Sequence, residues 1–303
     1  MNLNHLRVFH AVAQENSVTR GAAKLFISQP AASKQIKELE RALGVPLVDR
    51  TPKGIRLTDA GQHLVEHSRR LFAIENDAER TMQELKGVSR GRLAVAASTT
   101  MGIYLMPEVL AVFRARHPLV DVRLDIANDT EVQKQVLTGR SDVAFTGGPI
   151  EHPDLEAASI LNDELVALAS PKHPLAKQKQ ISAADLLRFP CILREAGSGM
   201  RVIIERSFAT RGLSFPQESL SLTSTEAIKR AVCAGLGVAI LSRLTVQVEL
   251  KNKTLARLEV DGFPIVRPMH VLRLRGRHES HALRAFMPIS LEALRRANLT
   301  VQT

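Results

Sequence analysis

Apolar positions near the start of the chain recur with helical spacing. Leu3, Leu6, Val8, Phe9 and Val12 form a stripe that predicts a helix over residues 3–15. Asn16-Ser17 supplies N-cap chemistry for a short second helix through Gly21, Ala22, Ala23 and Leu25, whose small residues admit a close neighbour. Phe26 and Ile27 make an apolar turn. Ser28 then caps a third helix with Gln29-Pro30 in its first turn, where the N–H that proline lacks has no intrahelical acceptor. Ala32, Ile36, Leu39 and Leu43 point inward on this third helix, and Gln29, Ser33, Lys34 and Lys37 point outward.

The pattern then shortens. LVDRTPKGIRLT reads as strand, basic turn and strand, with Arg50, Lys53 and Arg56 along the hairpin. Thr58 caps a long proline-free helix to about Lys86, in which Leu64, Leu71, Ala78 and Leu85 repeat every seventh position. Ala60, His67, Ile74 and Thr81 hold the second seam position. Such a repeat predicts pairing of this helix between protomers, against the simpler reading that it packs on its own domain.

After the small-residue boundary Gly87–Gly91, apolar runs at 93–98, 120–127, 142–146, 165–170, 191–195, 220–224 and 237–241 read as strands. Helical stretches near 102–116, 130–138, 182–188, 199–211, 225–234 and 280–296 lie between most of them. This alternation predicts parallel sheets covered on both faces, in two small α/β lobes that exchange strands, with ligands at strand carboxyl ends.

Composition narrows the function classes. The chain has 303 residues, enough for two or three domains, and a net charge of +10. The excess is not confined to one end: residues 1–70 carry 11 Lys and Arg against 6 Asp and Glu, and residues 251–303 carry 10 against 4. Charge therefore favours a polyanion partner without locating its site. The basic C-terminal stretch VLRLRGRHESHALRAF reads as a last strand and a solvated helix face. No segment has the apolar length of a membrane span, and the first sixteen residues carry His, Arg and Glu where a secretory signal is apolar, so a cytoplasmic protein without membrane contact is expected. Cys191 and Cys233 sit in apolar contexts and read as buried thiols rather than a redox pair. No Cys/His spacing suggests a metal, and no cofactor is expected.

Two chemistries stand out. Two helices joined by a tight turn, the second exposing Ser28, Gln29, Pro30, Ser33, Lys34 and Lys37, suit the major groove of double-stranded DNA. The hairpin with Arg50 and Lys53 is a wing that can reach phosphates or the minor groove. In the second half, Ser98-Thr99-Thr100, Glu195 to Ser198 with Arg201, and Thr223-Ser224-Thr225 each end a strand before a helix, and Gly147-Gly148 follows a fourth strand. Hydroxyls and helix amides at three strand ends, with two glycines after a fourth, point to a small-molecule site, with Arg201 as its cation. Glu195 would repel an anion there unless it pairs with Arg194 or Arg201.

The order Ala22-Ala23, Leu25, Ser28-Gln29-Pro30-Ala31, Ser33, Gln35-Ile36, Leu39-Glu40, Gly44, Leu47, Arg50, Gly54, Leu57-Thr58, Ala60-Gly61 and a long helix resembles the LysR-type transcriptional regulators. The match is dense over residues 3–65, departing at Val48, where the family commonly has Phe. STTMGIYLMP, ILREAGSGMR and STEAIKRAVCAGLGVAIL are similar to the family's sulfur-assimilation and carbon-fixation branch. The resemblance implies a winged helix-turn-helix over 1–58, a dimerising linker helix over 59–87, and an effector domain over 88–303 like periplasmic binding proteins. Within that domain, lobe I covers about 92–162 and 266–303, and lobe II about 163–265. It further implies effector contacts at Ser98, Thr99, Thr100, Gly147, Ser198, Arg201, Thr223 and Thr225, with sulfite or a phosphorylated metabolite as effector. Promoter DNA, a second copy of the chain in a dimer or tetramer, and RNA polymerase are the implied partners. An α/β enzyme or a transport binding protein are the rivals. The enzyme lacks GxSxG, GxGxxG and phosphate-loop motifs, and the binding protein would need an export signal and no headpiece.

Overall fold

A computed structural model describes residues 1–51, 54–85, 91–216 and 219–302. Lys53, Lys86 and most of the predicted boundary lie outside the described residues, as do the side chains of Arg50, Thr81 and Leu85. Compact packing divides the chain into Met1–Glu79 and Arg80–Thr303.

The first unit opens with α1 (Leu3–Glu15), α2 (Val18–Lys24) and α3 (Gln29–Leu43). Asn2, Ser17 and Ser28 accept the backbone N–H groups of Asn4, Arg20 and Ala31, so all three starts are side-chain capped. A Cβ on Gly21 would lie 2.6 Å from the Cα of Val12, which is why a small residue stands where α2 crosses α1. β1 (Val48–Thr51) and β2 (Gly54–Leu57) pair antiparallel as the wing. Leu6, Phe9, Val12, Ala22, Ala32, Ile36, Leu39 and Leu47 form the core. Leu43, expected inside, is 37% exposed at the end of α3.

α4 (Asp59–Leu85) begins with the Gly61 N–H on the Thr58 hydroxyl at 3.0 Å. Val65, Ser68 and Phe72 bury its inner face, and Leu64 and Leu71 pack in part on the same core. With Ala60, three positions of the predicted seam are thus partly absorbed by the helix's own domain. Ile74, Ala78 and Met82, at a spacing of four, stay exposed.

The second unit holds a nine-stranded sheet to which two lobes contribute. Its first lobe contains β3 (Arg92–Ser98), α5 (Thr99–Tyr104), α6 (Met106–Arg116), β4 (Asp121–Ala127), α7 (Asp129–Leu137) and β5 (Val143–Thr146). The predicted 102–116 helix is therefore two helices, separated at Leu105 ahead of Met106-Pro107. β6 (Leu155–Ala169) carries the chain into the second lobe, which holds α8 (Ala183–Leu186), β7 (Cys191–Arg194), α9 (Gly199–Ala209), β8 (Leu220–Leu222), α10 (Thr225–Cys233), β9 (Val238–Ser242), α11 (Gln247–Lys251) and β10 (Ala256–Leu258). β11 (Ile265–Leu274) returns to the first lobe, where α12 (His281–Gln302) closes it. The strand order is β4-β3-β5-β11-β6-β9-β7-β8, with β10 also on β6.

β3, β4 and β5 run parallel, as do β7, β8 and β9, but β6, β10 and β11 are antiparallel to their partners. To the parallel strands expected in each lobe, these three add antiparallel pairings. In β3, Leu93, Val95 and Ala97 face α6 and α12, and Ala96 faces α7, so both faces are covered. The basic C-terminal stretch ends β11 and opens α12, whose His281 and Arg284 are solvated while the opposite face of the helix is buried. Ala282, Leu283, Phe286, Ile289 and Leu294 of α12 are buried. Arg273 bonds Glu279, and Arg277 bonds Asp142 at 3.0 Å.

Candidate functional site

In the first unit, Ala32, Ile36 and Leu39 turn one side of α3 into the core, which leaves Gln29, Lys34 and Lys37 exposed and Ser33 half-buried on the other. Gln29 donates from Nε2 to the Ser33 hydroxyl at 2.9 Å, forming a polar pair one turn long. Ser28 and Pro30 sit exposed at the start of that face, with Ser28 committed to its cap. Glu40, which the sequence shows only as part of a motif, has a structural task. Its Oε1 accepts the N–H groups of Leu47 at 2.8 Å and Val48 at 3.2 Å, fastening the wing to α3.

In the second unit the predicted strand ends converge. Ser98 and Ser198 occupy N-cap positions, yet neither hydroxyl caps its helix, and both residues are buried. Thr100 and Thr225 are buried as well. The charge among them is Arg194, at the end of β7. Its Nη2 donates to Thr99 Oγ1 at 3.3 Å in lobe I, and its Nη1 to Thr225 Oγ1 at 3.2 Å in lobe II. Glu195 pairs with the same guanidinium, through Nε at 2.8 Å and Nη2 at 3.0 Å.

Arg267, on β11, is a second buried guanidinium. It lies directly across the ladder from Asp163 of β6, bonds it at 2.8 Å, and reaches Thr100 Oγ1 at 3.2 Å. A Cβ on Gly147 would stand 3.1 Å from Arg267 Cζ and 2.4 Å from Met269 Sδ, so this position takes no side chain.

Further contacts tie the lobes together. Asp129, at the start of α7, accepts the Gly199 N–H at 2.7 Å through Oδ2, and through Oδ1 the Gly147 N–H at 3.2 Å and the Thr146 hydroxyl. Gly148 and Gly199 touch backbone to backbone: a Cβ on Gly199 would fall 2.2 Å from the Gly148 Cα. Tyr104 of α5 donates to Glu226 of α10, and burial together with this bond pushes the phenol up to about 12. Glu226 also pairs with the buried Lys229 at 2.7 Å, which is held by Glu249 at 2.8 Å.

Two predicted residues stand apart from this centre. Arg201 bonds Glu205 at 2.7 Å and the Arg194 carbonyl at 3.0 Å, and lines a groove with Leu213, Phe215 and Ser221. Thr223 is exposed, and its neighbour Ser224 caps α10 at Ala227 N. The two thiols have separate partners, Cys191 on the Phe189 carbonyl and Cys233 on that of Thr254, and burial pushes Cys191 up to about 11. Among the described residues there is no group of three His, Cys, Asp or Glu able to hold a metal, and no helix long and apolar enough to cross a membrane.

Residues 3–62 match the family model described as bacterial regulatory helix-turn-helix protein, lysR family, and residues 86–295 match that of the LysR substrate binding domain. The chain is 37% identical over 286 residues to the RuBisCO operon transcriptional regulator of Allochromatium vinosum, covering 94% of each. It is 35% identical to the HTH-type transcriptional activator CmpR of Synechocystis, covering 94% of this chain and 93% of that one. The regulatory domain of CcmR from Synechocystis, solved in complex with 2-PG, superposes with a TM-score of 0.62 at 31% identity, covering 67% of this chain and 96% of that one.

Proposed function

The chain belongs to the LysR family of transcriptional regulators, in its carbon-fixation branch, and from that premise we propose that a small dianionic metabolite governs it by binding at Arg194, between the two lobes. One observation carries this reading: a single buried guanidinium holds hydroxyls of both lobes, Thr99 and Thr225. A ligand taken up by that fork interacts with both lobes at once, and so shifts the equilibrium between their arrangements by its differential affinity for them. A planar fork suits the paired oxygens of a carboxylate or phosphate. Ser98, Thr100 and Ser198 are proposed to add hydroxyls to the same site, with Gly147 close against Met269 and Arg267. Arg194 replaces Arg201 as the cation of the site. The CcmR domain, solved with 2-PG, makes 2-phosphoglycolate the first ligand to try, ahead of sulfite. No cofactor is required.

In the first unit, Gln29 and Ser33 are proposed to read base edges. Ser28, Lys34, Lys37, Arg50 and Lys53 would hold the phosphate backbone, with Pro30 shaping the helix start. The exposed stripe of Ile74, Ala78 and Met82 supports pairing of α4 between protomers.

The test is thermal unfolding of the full chain with 2-phosphoglycolate, phosphoenolpyruvate, sugar phosphates, sulfite and sulfate. A ligand at about a hundred times its Kd stabilises by roughly 2.7 kcal/mol, a shift of a few degrees. The expected result is a shift with a dianion that Arg194→Met abolishes. No shift with any of these anions overturns the reading.

A further inference from the structure

We propose that Glu195 is an internal counter-anion that competes with the effector for Arg194 and thereby sets the charge the effector must carry. This rests on Arg194 being the effector's cation.

A guanidinium has five N–H donors. Glu195 takes one on Nε and one on Nη2, Thr99 takes the other on Nη2, and Thr225 takes one on Nη1. An incoming anion meets a single uncommitted donor unless Glu195 leaves. Thr99 and Thr225 cannot answer the charge, so the carboxylate is the group that must be exchanged.

The pair is built unevenly. The Arg194 side chain is 5% exposed and that of Glu195 19%. Glu195 can turn into water and recover its hydration, whereas Arg194 stays buried and requires a negative partner at all times. Among the described residues the Glu195 carboxylate has no hydrogen-bond donor besides Arg194. The other buried arginine pairs differ in this respect. Asp163, opposite Arg267, also accepts the Ser242 hydroxyl at 2.6 Å, and Asp142, opposite Arg277, also accepts the Ala94 N–H at 2.9 Å. Those carboxylates are fixed by second donors, and Glu195 is held by the guanidinium alone.

The exchange defines a selectivity. A monoanion that displaces Glu195 replaces one negative charge on Arg194 with another and gains little. A phosphorylated acid brings a second negative charge and more oxygens to the same fork, so it gains where the monoanion does not. Glu195 is in this sense a specificity residue: it filters ligands by charge.

The experiment is titration calorimetry on the full chain with 2-phosphoglycolate and with glycolate, comparing the unaltered protein with Glu195→Gln, Glu195→Asp and Arg194→Met. Glu195→Gln is expected to bind 2-phosphoglycolate at least about tenfold more tightly, or about 1.4 kcal/mol. Glycolate, too weak to displace the carboxylate in the unaltered protein, should become a measurable ligand of Glu195→Gln. Glu195→Asp, whose carboxylate is drawn back by one methylene, should fall between the two, and serves if the glutamine variant does not fold. Unchanged or weaker binding by the Glu195 variants, with binding still abolished in Arg194→Met, overturns the competition while leaving the effector site in place. Absence of binding in every protein overturns both.

Discussion

Asp129 of α7 and Gly199 of α9 meet through a 2.7 Å hydrogen bond that runs from one lobe to the other. The same carboxylate also serves Gly147 and Thr146, so it does within the protein what a bound anion would do at these amides. Asp129→Ala leaves two buried N–H groups without an acceptor. The expected loss is about 2–4 kcal/mol, read as a lower unfolding midpoint of the Arg80–Thr303 unit. A loss below about 1 kcal/mol would mean that the clamp does not hold in solution.

Gly199→Ala tests the adjacent backbone contact. The added Cβ would meet the Gly148 Cα at 2.2 Å, inside any van der Waals distance, so the lobes must separate locally to admit it. Weaker effector binding and a lower midpoint are expected together. An alanine variant with unaltered ligand affinity would show that binding does not require this approach.

The first unit should respond to acid through His10. Nδ1 faces the Ser68 hydroxyl at 2.7 Å, Nε2 faces Gln14 at 2.8 Å, and burial, helped by Arg69, Lys24 and Arg7, lowers the imidazole from 6.5 to about 4. The unfolded chain takes up a proton near pH 6.5 and the folded one only near pH 4. Stability is therefore complete above pH 6.5 and falls as the pH drops towards 4, by up to about 3 kcal/mol. Urea unfolding of this unit between pH 7 and 4.5 measures the slope, and His10→Gln should flatten it.

Lys34→Ala and Lys37→Ala should weaken binding to all duplex sequences alike, and each should reduce the slope of log affinity against log salt by about one. Gln29→Ala should instead relax preference at one or two base positions, by about 1–3 kcal/mol. Filter binding across a salt series separates the two behaviours. Equal sequence preference in Gln29→Ala would remove that residue from base readout.

Much of this architecture was legible because its signals are local. Ser17, Ser28 and Thr58 announce their helices, and the apolar faces of α1 and α3 have the right period. The front half of β6 escaped because its exposed side is polar, so LEAASILNDE looks like loop. The cleft guanidiniums are less legible: the sequence offers Arg194 only as a partner for Glu195, the pair the structure forms, and does not single out Arg267. Their meaning depends on partners far away in sequence, Thr99 for Arg194 and Asp163 for Arg267. A signal was present all the same. In β11 the buried positions alternate as Ile265, Arg267 and Met269, so strand periodicity alone turns Arg267 inward. Arg201 drew attention instead because it lies in the first turn after a glycine-rich bend, but the helix presents it to Glu205, one turn on.

β6 and β11 are the two passages of the chain between the lobes, and they are hydrogen-bonded to each other from Ile265↔Leu165 to Leu274↔Leu155, with one register shift at Met269/His270. Two ribbons laced along their length can twist and flex, but they cannot slide without breaking their rungs. The joint therefore opposes twisting less than it opposes sliding. A change of angle between the lobes keeps these rungs intact, whereas a sliding motion would break them.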